Sequence, residues 1–152
     1  MSKITIRLNN ENRTVDVDSN DVLLDVLRDK LGAKSPKCGC DRGDCGACAV
    51  LLNGKSVRSC LILAVEADGQ EIFTVEGLSV KELSQVQKAF IEFNSFQCGF
   101  CAPGIIISAT ELLNNNPSPS REDVKEALSG NLCRCTGYTP IIDAVVSCSK
   151  NE

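Results

Sequence analysis

Apolar and polar residues alternate at the start of the chain, with Ile4, Ile6 and Leu8 on one face between Lys3, Thr5 and Arg7. A period of two sends successive side chains to opposite faces of a strand, so residues 3–8 are predicted as one. Asn9, Asn10 and Glu11 turn the chain, and residues 14–17 return to complete a hairpin. The period then changes. Val22, Leu23, Val26, Leu27 and Leu31 recur at helical spacing, with Ser19 or Asn20 expected to cap the helix and Gly32 to end it at positive φ. Residues 33–47 hold Gly, Asp, Pro and Cys without a period and read as a loop. Residues 49–52 and 55–59 flank Asn53-Gly54, a strong hairpin signal, and residues 72–75 are expected as the last strand.

Beyond residue 78 the pattern becomes helical. Leu83, Val86, Phe90 and Phe93 share one side of a helix expected over residues 81–93. Pro103 suits the first turn of a helix running to about residue 113. Residues 114–119 break it, Ser120 caps a helix reaching residue 128, and Thr139-Pro140 opens a last one over residues 141–148. The change of period divides the chain into residues 1–78 and 79–152. Halves of about 75 residues are marginal on an apolar core alone, and a bound metal group in each would supply the missing constraint.

The cysteine content gives that idea substance. Ten of the 152 residues are Cys and none is His. Absence of His removes Rieske-type ligation, mixed Cys/His zinc sites and His-based proton transfer within this chain. Dense cysteine also marks secreted disulfide domains, but the alternating N-terminus has no apolar signal-peptide core. No run of roughly 18 apolar residues suggests a membrane span. The expectation is a cytoplasmic protein whose thiols bind metal. With 16 Lys and Arg against 20 Asp and Glu, the net charge of −4 argues against a nucleic-acid partner.

The thiols fall into two constellations. Cys40-x4-Cys45-x2-Cys48-x11-Cys60 has the plant-type ferredoxin spacing for a [2Fe–2S] cluster. Gly39, Gly43 and Gly46 would let the loop wrap closely and aim backbone amides at sulfur. A four-cysteine zinc site is the competing reading, although zinc ribbons use two separated CxxC knuckles. Cys98-x2-Cys101-x31-Cys133-x1-Cys135 is less specific, and its spacing suits zinc or a cluster. Both of its pairs precede helices, where free N–H groups favour anionic thiolates.

Residues 39–48 (GCDRGDCGAC), 97–104 (QCGFCAPG) and 131–138 (NLCRCTGY) together closely resemble the iron–sulfur subunit of molybdenum hydroxylases, the xanthine dehydrogenase and aldehyde oxidoreductase family. The resemblance covers about residues 3–148. It implies an α+β chain: an N-terminal ferredoxin-like β-grasp domain followed by an all-α four-helix domain with pseudo-twofold symmetry, each holding one [2Fe–2S] cluster. It also implies a large partner subunit with molybdopterin, as the cytosine dinucleotide, and a medium subunit with FAD, in a heterotrimer or its dimer. The helical-domain cluster would lie nearest the pterin, approached by Gln97 and Cys135. Ala102 departs from the Thr usual in the family, which costs a hydroxyl but no ligand.

What the resemblance implies is an electron-transfer subunit with no catalytic residue of its own. The chain has no P-loop or GxGxxG fingerprint, so nucleotide cofactors would belong to its partners. An N-heteroaromatic or purine is the expected substrate of the complex. A freestanding two-cluster carrier or sensor is the alternative. Outside the ligand sets, Cys38 is expected as a small, partly buried filler and Cys148, near the end of an apolar helix face, as a core or surface thiol. Arg42 and Arg134 would raise cluster potential while Asp41 and Asp44 would lower it. Lys81, Glu82 and the charges of residues 121–125 are expected on solvated helix faces.

Overall fold

The structure, a computed structural model, describes residues 1–149. Strands β1 (Ser2–Leu8) and β2 (Glu11–Val17) form the expected antiparallel hairpin. Asn9 and Asn10 make its turn at φ of 50° and 70°. Helix α1 (Leu23–Asp25) continues into a π-helical turn over Val26–Lys30, and Gly32 ends it at φ 76°. β3 (Ala49–Leu52) and β4 (Lys55–Arg58) follow, joined by Asn53 and Gly54, both at positive φ. The last strand, β5 (Glu71–Phe73), enters between β1 and β3, parallel to the first and antiparallel to the second, giving the order β2-β1-β5-β3-β4. The second half supplies α2 (Gln85–Glu92), α3 (Ala102–Asn115), α4 (Arg121–Ala127) and α5 (Thr139–Ser147). The fold is thus a mixed α+β architecture with a small sheet.

Five expectations about these elements need correction. The first helix is not capped by Ser19 or Asn20, because Val22 is still extended and bridges to Leu63 while Leu23 N–H bonds to Ile62 O at 2.8 Å. That tertiary contact delays the helix. The last strand ends at Phe73, and Val75–Leu78 turns as a 3-10 helix. α2 starts at Gln85, not at residue 81, because Ser84 and Gln87 form a reciprocal capping box with Ser84 N–H to Gln87 Oε1 at 2.8 Å. Leu83 lies outside the helix, and it and Phe93 are exposed. Lys81 and Glu82 therefore precede α2 and lie on no helix face. Ser120 does cap α4 as expected, through Asp123.

Two apolar cores stabilise the halves. Ile4, Ile6 and Leu8 of β1 pack with Val17, Leu23, Leu27, Val50 and Ile72, all buried. Val86, Phe90, Ile105, Val124, Ile141 and Val145 interlock the helices of the second half. Between them, Ile107 of α3 is fully buried against Ala49 and Leu51 of β3. That seam brings the loop before β3 up to the start of α3.

Candidate metal centres

The loop between Gly32 and β3 has no regular structure, so its shape is imposed by anchors at its base. Arg28 Nη1 donates to Lys34 O at 2.9 Å and Pro36 O at 2.6 Å, while Lys37 N–H bonds to Ala47 O at 2.9 Å. Ser35 donates to the Glu76 carboxylate from its hydroxyl and, at 2.8 Å, from its N–H. Burial opposes the charge of Glu76, but the bonds from Ser35 and Thr74 outweigh it and hold its pKa below the ordinary value.

On this base the loop brings Cys40, Cys45 and Cys48 together with Cys60, which arrives after β4. Cys48 and Cys60 are buried, with sulfurs 3.4 Å apart; Cys40 and Cys45 are half-buried. Backbone amides point at sulfur as the glycine spacing suggested: Cys45 N–H lies 3.4 Å from Cys40 Sγ, and Ala47 N–H lies 3.5 Å from Cys45 Sγ. Bonds from the amides of Cys45, Arg42 and Asp44 pull the Cys40 thiol down to about 7. Burial, with the neighbouring Cys48 thiol, pushes Cys60 up to about 11. Two of the glycines are indispensable. A Cβ on Gly39 would stand 2.8 Å from Cys45 Sγ, and one on Gly46, at φ 75°, would overlap Gly130 O.

The second set assembles from two loops. Cys98 and Cys135 are exposed, with sulfurs 3.6 Å apart, and the buried Cys101 meets the half-buried Cys133 thiol. Cys101 is the N-cap residue of α3. Burial drives its thiol up to about 12. Cys133 is also opposed by burial, yet the Thr136 hydroxyl (3.1 Å) and the amides of Cys135 and Thr136 bring it below its ordinary value. Tyr138, left-handed at φ 70°, returns its hydroxyl to this loop, accepting from Cys133 N–H at 2.9 Å and donating to Asn131 O at 2.8 Å.

These donor sets suit a two-iron group. Sulfurs 3.4–3.6 Å apart are not disulfides, whose S–S distance is about 2.05 Å. Two thiolates on one tetrahedral metal, about 2.3 Å from each, would lie about 3.8 Å apart. Each site thus offers two thiol pairs, Cys40 with Cys45 and Cys48 with Cys60, then Cys98 with Cys135 and Cys101 with Cys133. Paired thiols fit a [2Fe–2S] rhomb, in which each iron would take two of them.

The remaining candidates divide. Gln97 is exposed and donates from Nε2 to Cys135 O at 3.0 Å, so its amide ties together the two loops of the second site. Cys38 is not a partly buried filler. It is exposed and outside both donor sets, its thiol raised to about 11 chiefly by the hydrogen bond it donates to the Asp41 carboxylate. Cys148 is buried beneath α5 and bonds to Ala144 O. Arg42 pairs with Asp44 at 2.6 Å, so within the first loop their opposite charges largely offset each other. Sequence reasoning gave no role to Arg58, Ser108, Asn131 or Tyr138. Asn131 and Tyr138 flank Cys133 and Cys135, which was the available signal, whereas Arg58 and Ser108 had none.

Comparison with known proteins agrees with this geometry. Residues 6–79 match a family described as 2Fe-2S iron-sulfur cluster binding domain, and residues 74–146 match one described as [2Fe-2S] binding domain. Two such modules in tandem define a class of two-cluster electron-transfer chains. The chain belongs to the family of iron–sulfur small subunits of molybdenum hydroxylases of the xanthine dehydrogenase and aldehyde oxidoreductase type. It is 52% identical to the nicotine 6-hydroxylase small subunit of Paenarthrobacter nicotinovorans, over 95% of this chain and 87% of that one. It is 47% identical to the nicotinate dehydrogenase small FeS subunit of Eubacterium barkeri, over 95% and 94%. The crystal structure of quinoline 2-oxidoreductase from Pseudomonas putida 86 contains a chain 45% identical that superimposes with a TM-score of 0.93, over 95% of this chain and 90% of that one.

Proposed function

We propose that this chain is the electron-transfer subunit of a molybdenum hydroxylase, standing between molybdopterin on a large partner subunit and FAD on a medium one. The observation that carries the reading is two four-thiol sites on one chain, joined by a backbone hydrogen bond from Leu132 N–H to Cys45 O at 2.8 Å. We assign Cys40, Cys45, Cys48 and Cys60 as ligands of one [2Fe–2S] cluster, and Cys98, Cys101, Cys133 and Cys135 as ligands of the other. The clusters, when bound, supply one-electron redox centres.

The chain's own residues do the rest. Loop amides aimed at Cys40 and Cys133 bring their thiols below the ordinary value, whereas burial and the Cys40 thiol keep Cys45 above it despite the Ala47 amide. Burial of Cys48, Cys60 and Cys101 keeps water from one side of each site. Cys98, Cys135 and Gln97 stay exposed, which supports placing the second site against the pterin. Leu61 flanks Cys60 and is also exposed, an apolar surface suited to cover by the flavin subunit. We place the division between the two modules near residue 78, the second being the helical one, in line with the separate cores.

The assembly is read as a heterotrimer or its dimer with the pterin as its cytosine dinucleotide. Its proposed compartment is the cytoplasm, where reducing conditions keep thiols available to metal. No described helix is long and apolar enough to cross a membrane. An N-heteroaromatic substrate is supported by the names of the nicotine, nicotinate and quinoline enzymes. Metal and flavin analysis of the tagged chain, purified with its bound partners, tests the reading. About four iron per molybdenum with one FAD is expected from two [2Fe–2S] sites. Full iron without molybdenum or flavin, in an undissociated preparation, would leave a freestanding two-cluster carrier instead.

A further inference from the structure

Three elements meet at one point between the two thiol sites. Gly104 in the first turn of α3 packs so closely on the Gly46 carbonyl of the first loop that a Cβ there would overlap it. Asn131, just before the Cys133 loop, fills the remaining space and is 2% exposed. Its Oδ1 accepts from the Ser108 hydroxyl of α3 at 2.8 Å, and its Nδ2 donates to Gly46 O at 3.3 Å. Its own carbonyl accepts from the Tyr138 hydroxyl at 2.8 Å. On either side of it, Gly130 O accepts from Arg58 Nη2 and Leu132 N–H donates to Cys45 O, both at 2.8 Å. Three consecutive residues thus bond the second loop to the framework of the first.

We infer that Asn131 is the positioning residue that fixes the separation and orientation of the two thiol sites relative to one another. The chemistry is specific to an amide. Gly46 O can only accept, so the group facing it must donate, while the Ser108 hydroxyl can supply the proton that Oδ1 needs. Asp in this place would set a carboxylate against a carbonyl, and Ala would leave Gly46 O without that bond. Ser108 acts one step further back, by choosing which end of the amide faces Gly46. Because Gly46 lies between Cys45 and Cys48, and Asn131 lies two residues from Cys133, a shift at this contact moves both ligand loops against each other.

The inference rests on the two-cluster reading above, and the test separates them. The intact complex carrying wild-type chain, Asn131→Ala or Ser108→Ala is reduced, and its electron paramagnetic resonance spectrum and iron content are measured. Wild type should show two [2Fe–2S] signals split by their mutual magnetic interaction. Asn131→Ala should keep both signals and the iron but lose or shift the splitting, a change that general loosening of the fold would not single out. Ser108→Ala should shift it the same way by less, and serves as the deciding variant if Asn131→Ala does not retain its iron. Wild-type splitting in Asn131→Ala at full iron overturns the inference, as does unchanged splitting in Ser108→Ala where that variant decides. Absence of two interacting signals in the wild-type complex would overturn the underlying reading as well.

Discussion

Leu132 N–H donates a hydrogen bond of 2.8 Å to the backbone carbonyl of Cys45, so a residue adjoining Cys133 is tied directly to a residue of the other thiol set. The bond uses only main-chain atoms. It therefore depends on how the two loops are held against each other, and not on which side chain stands at position 132, where Leu is exposed.

Replacing Cys48 by Ser should remove the metal group of the first site and spare the second. Iron in the purified chain should fall from about four to about two per chain. In the proposed complex the substrate should then no longer reduce the flavin. Turnover with the physiological acceptor at the wild-type level would show that the first site is not on the electron route.

Gly46→Ala should be far more damaging than a glycine replacement in an open turn. Gly46 is held at φ 75°, and the added Cβ meets Gly130 O and the Asn131 side chain. Left-handed strain together with a backbone clash at a closed contact is expected to cost about 2–4 kcal/mol. Gly54→Ala, at φ 82° with nothing within 4 Å, should lose less. Denaturant midpoints of the two variants give the comparison.

Tyr138→Phe deletes a hydroxyl that bridges Cys133 N–H and Asn131 O. Leaving two partly buried backbone groups unpaired should cost about 1–3 kcal/mol. Because one of them belongs to Cys133, a proposed ligand, iron should leave the second site faster than the first. Release rates to a chelator, followed through the spectra of the two sites, would reveal whether the loss is selective.

Glu76 gives the base of the first loop a pH dependence. Its pKa in the folded chain lies below the ordinary 4.5, with burial opposing and the Ser35 and Thr74 bonds overcoming the opposition. A carboxylate of depressed pKa contributes stability that is present above its unfolded value and is lost as pH falls through the folded one. The wild-type chain should therefore lose stability on acidification below about pH 4.5 more steeply than Glu76→Gln. Urea midpoints of both chains between neutral pH and mild acid measure the difference, and parallel curves would count against the role of Glu76.

The strands and most helices were readable because their signals are local. Ile4, Ile6 and Leu8 alternate, Asn53 and Gly54 accept positive φ, and Ser120 with Asp123 builds its own cap within one turn. Boundaries failed where distant residues intervened. Val22 stays extended because it bridges to Leu63. The start of α2 was a local signal that went unread, since Ser84 and Gln87 build the same kind of box as Ser120 and Asp123 and leave Leu83 outside.

The same division holds for the thiol sites. Sequence by itself determined the family, through three motifs of contiguous chain, and pointed to the first four-cysteine set by its spacing and glycines; the second set was open on spacing and followed only from the resemblance. Only the tertiary structure decided which thiols pair, that Cys98 and Cys135 face outward while Cys48 and Cys60 are enclosed, and that Cys38 is exposed beside its set. It alone placed Asn131 between Ser108 and Gly46 and Leu132 against Cys45. Those contacts join segments far apart in the chain, and no periodicity encodes them. They follow from the packing of Ile107 on β3, which brings the two loops within reach of each other.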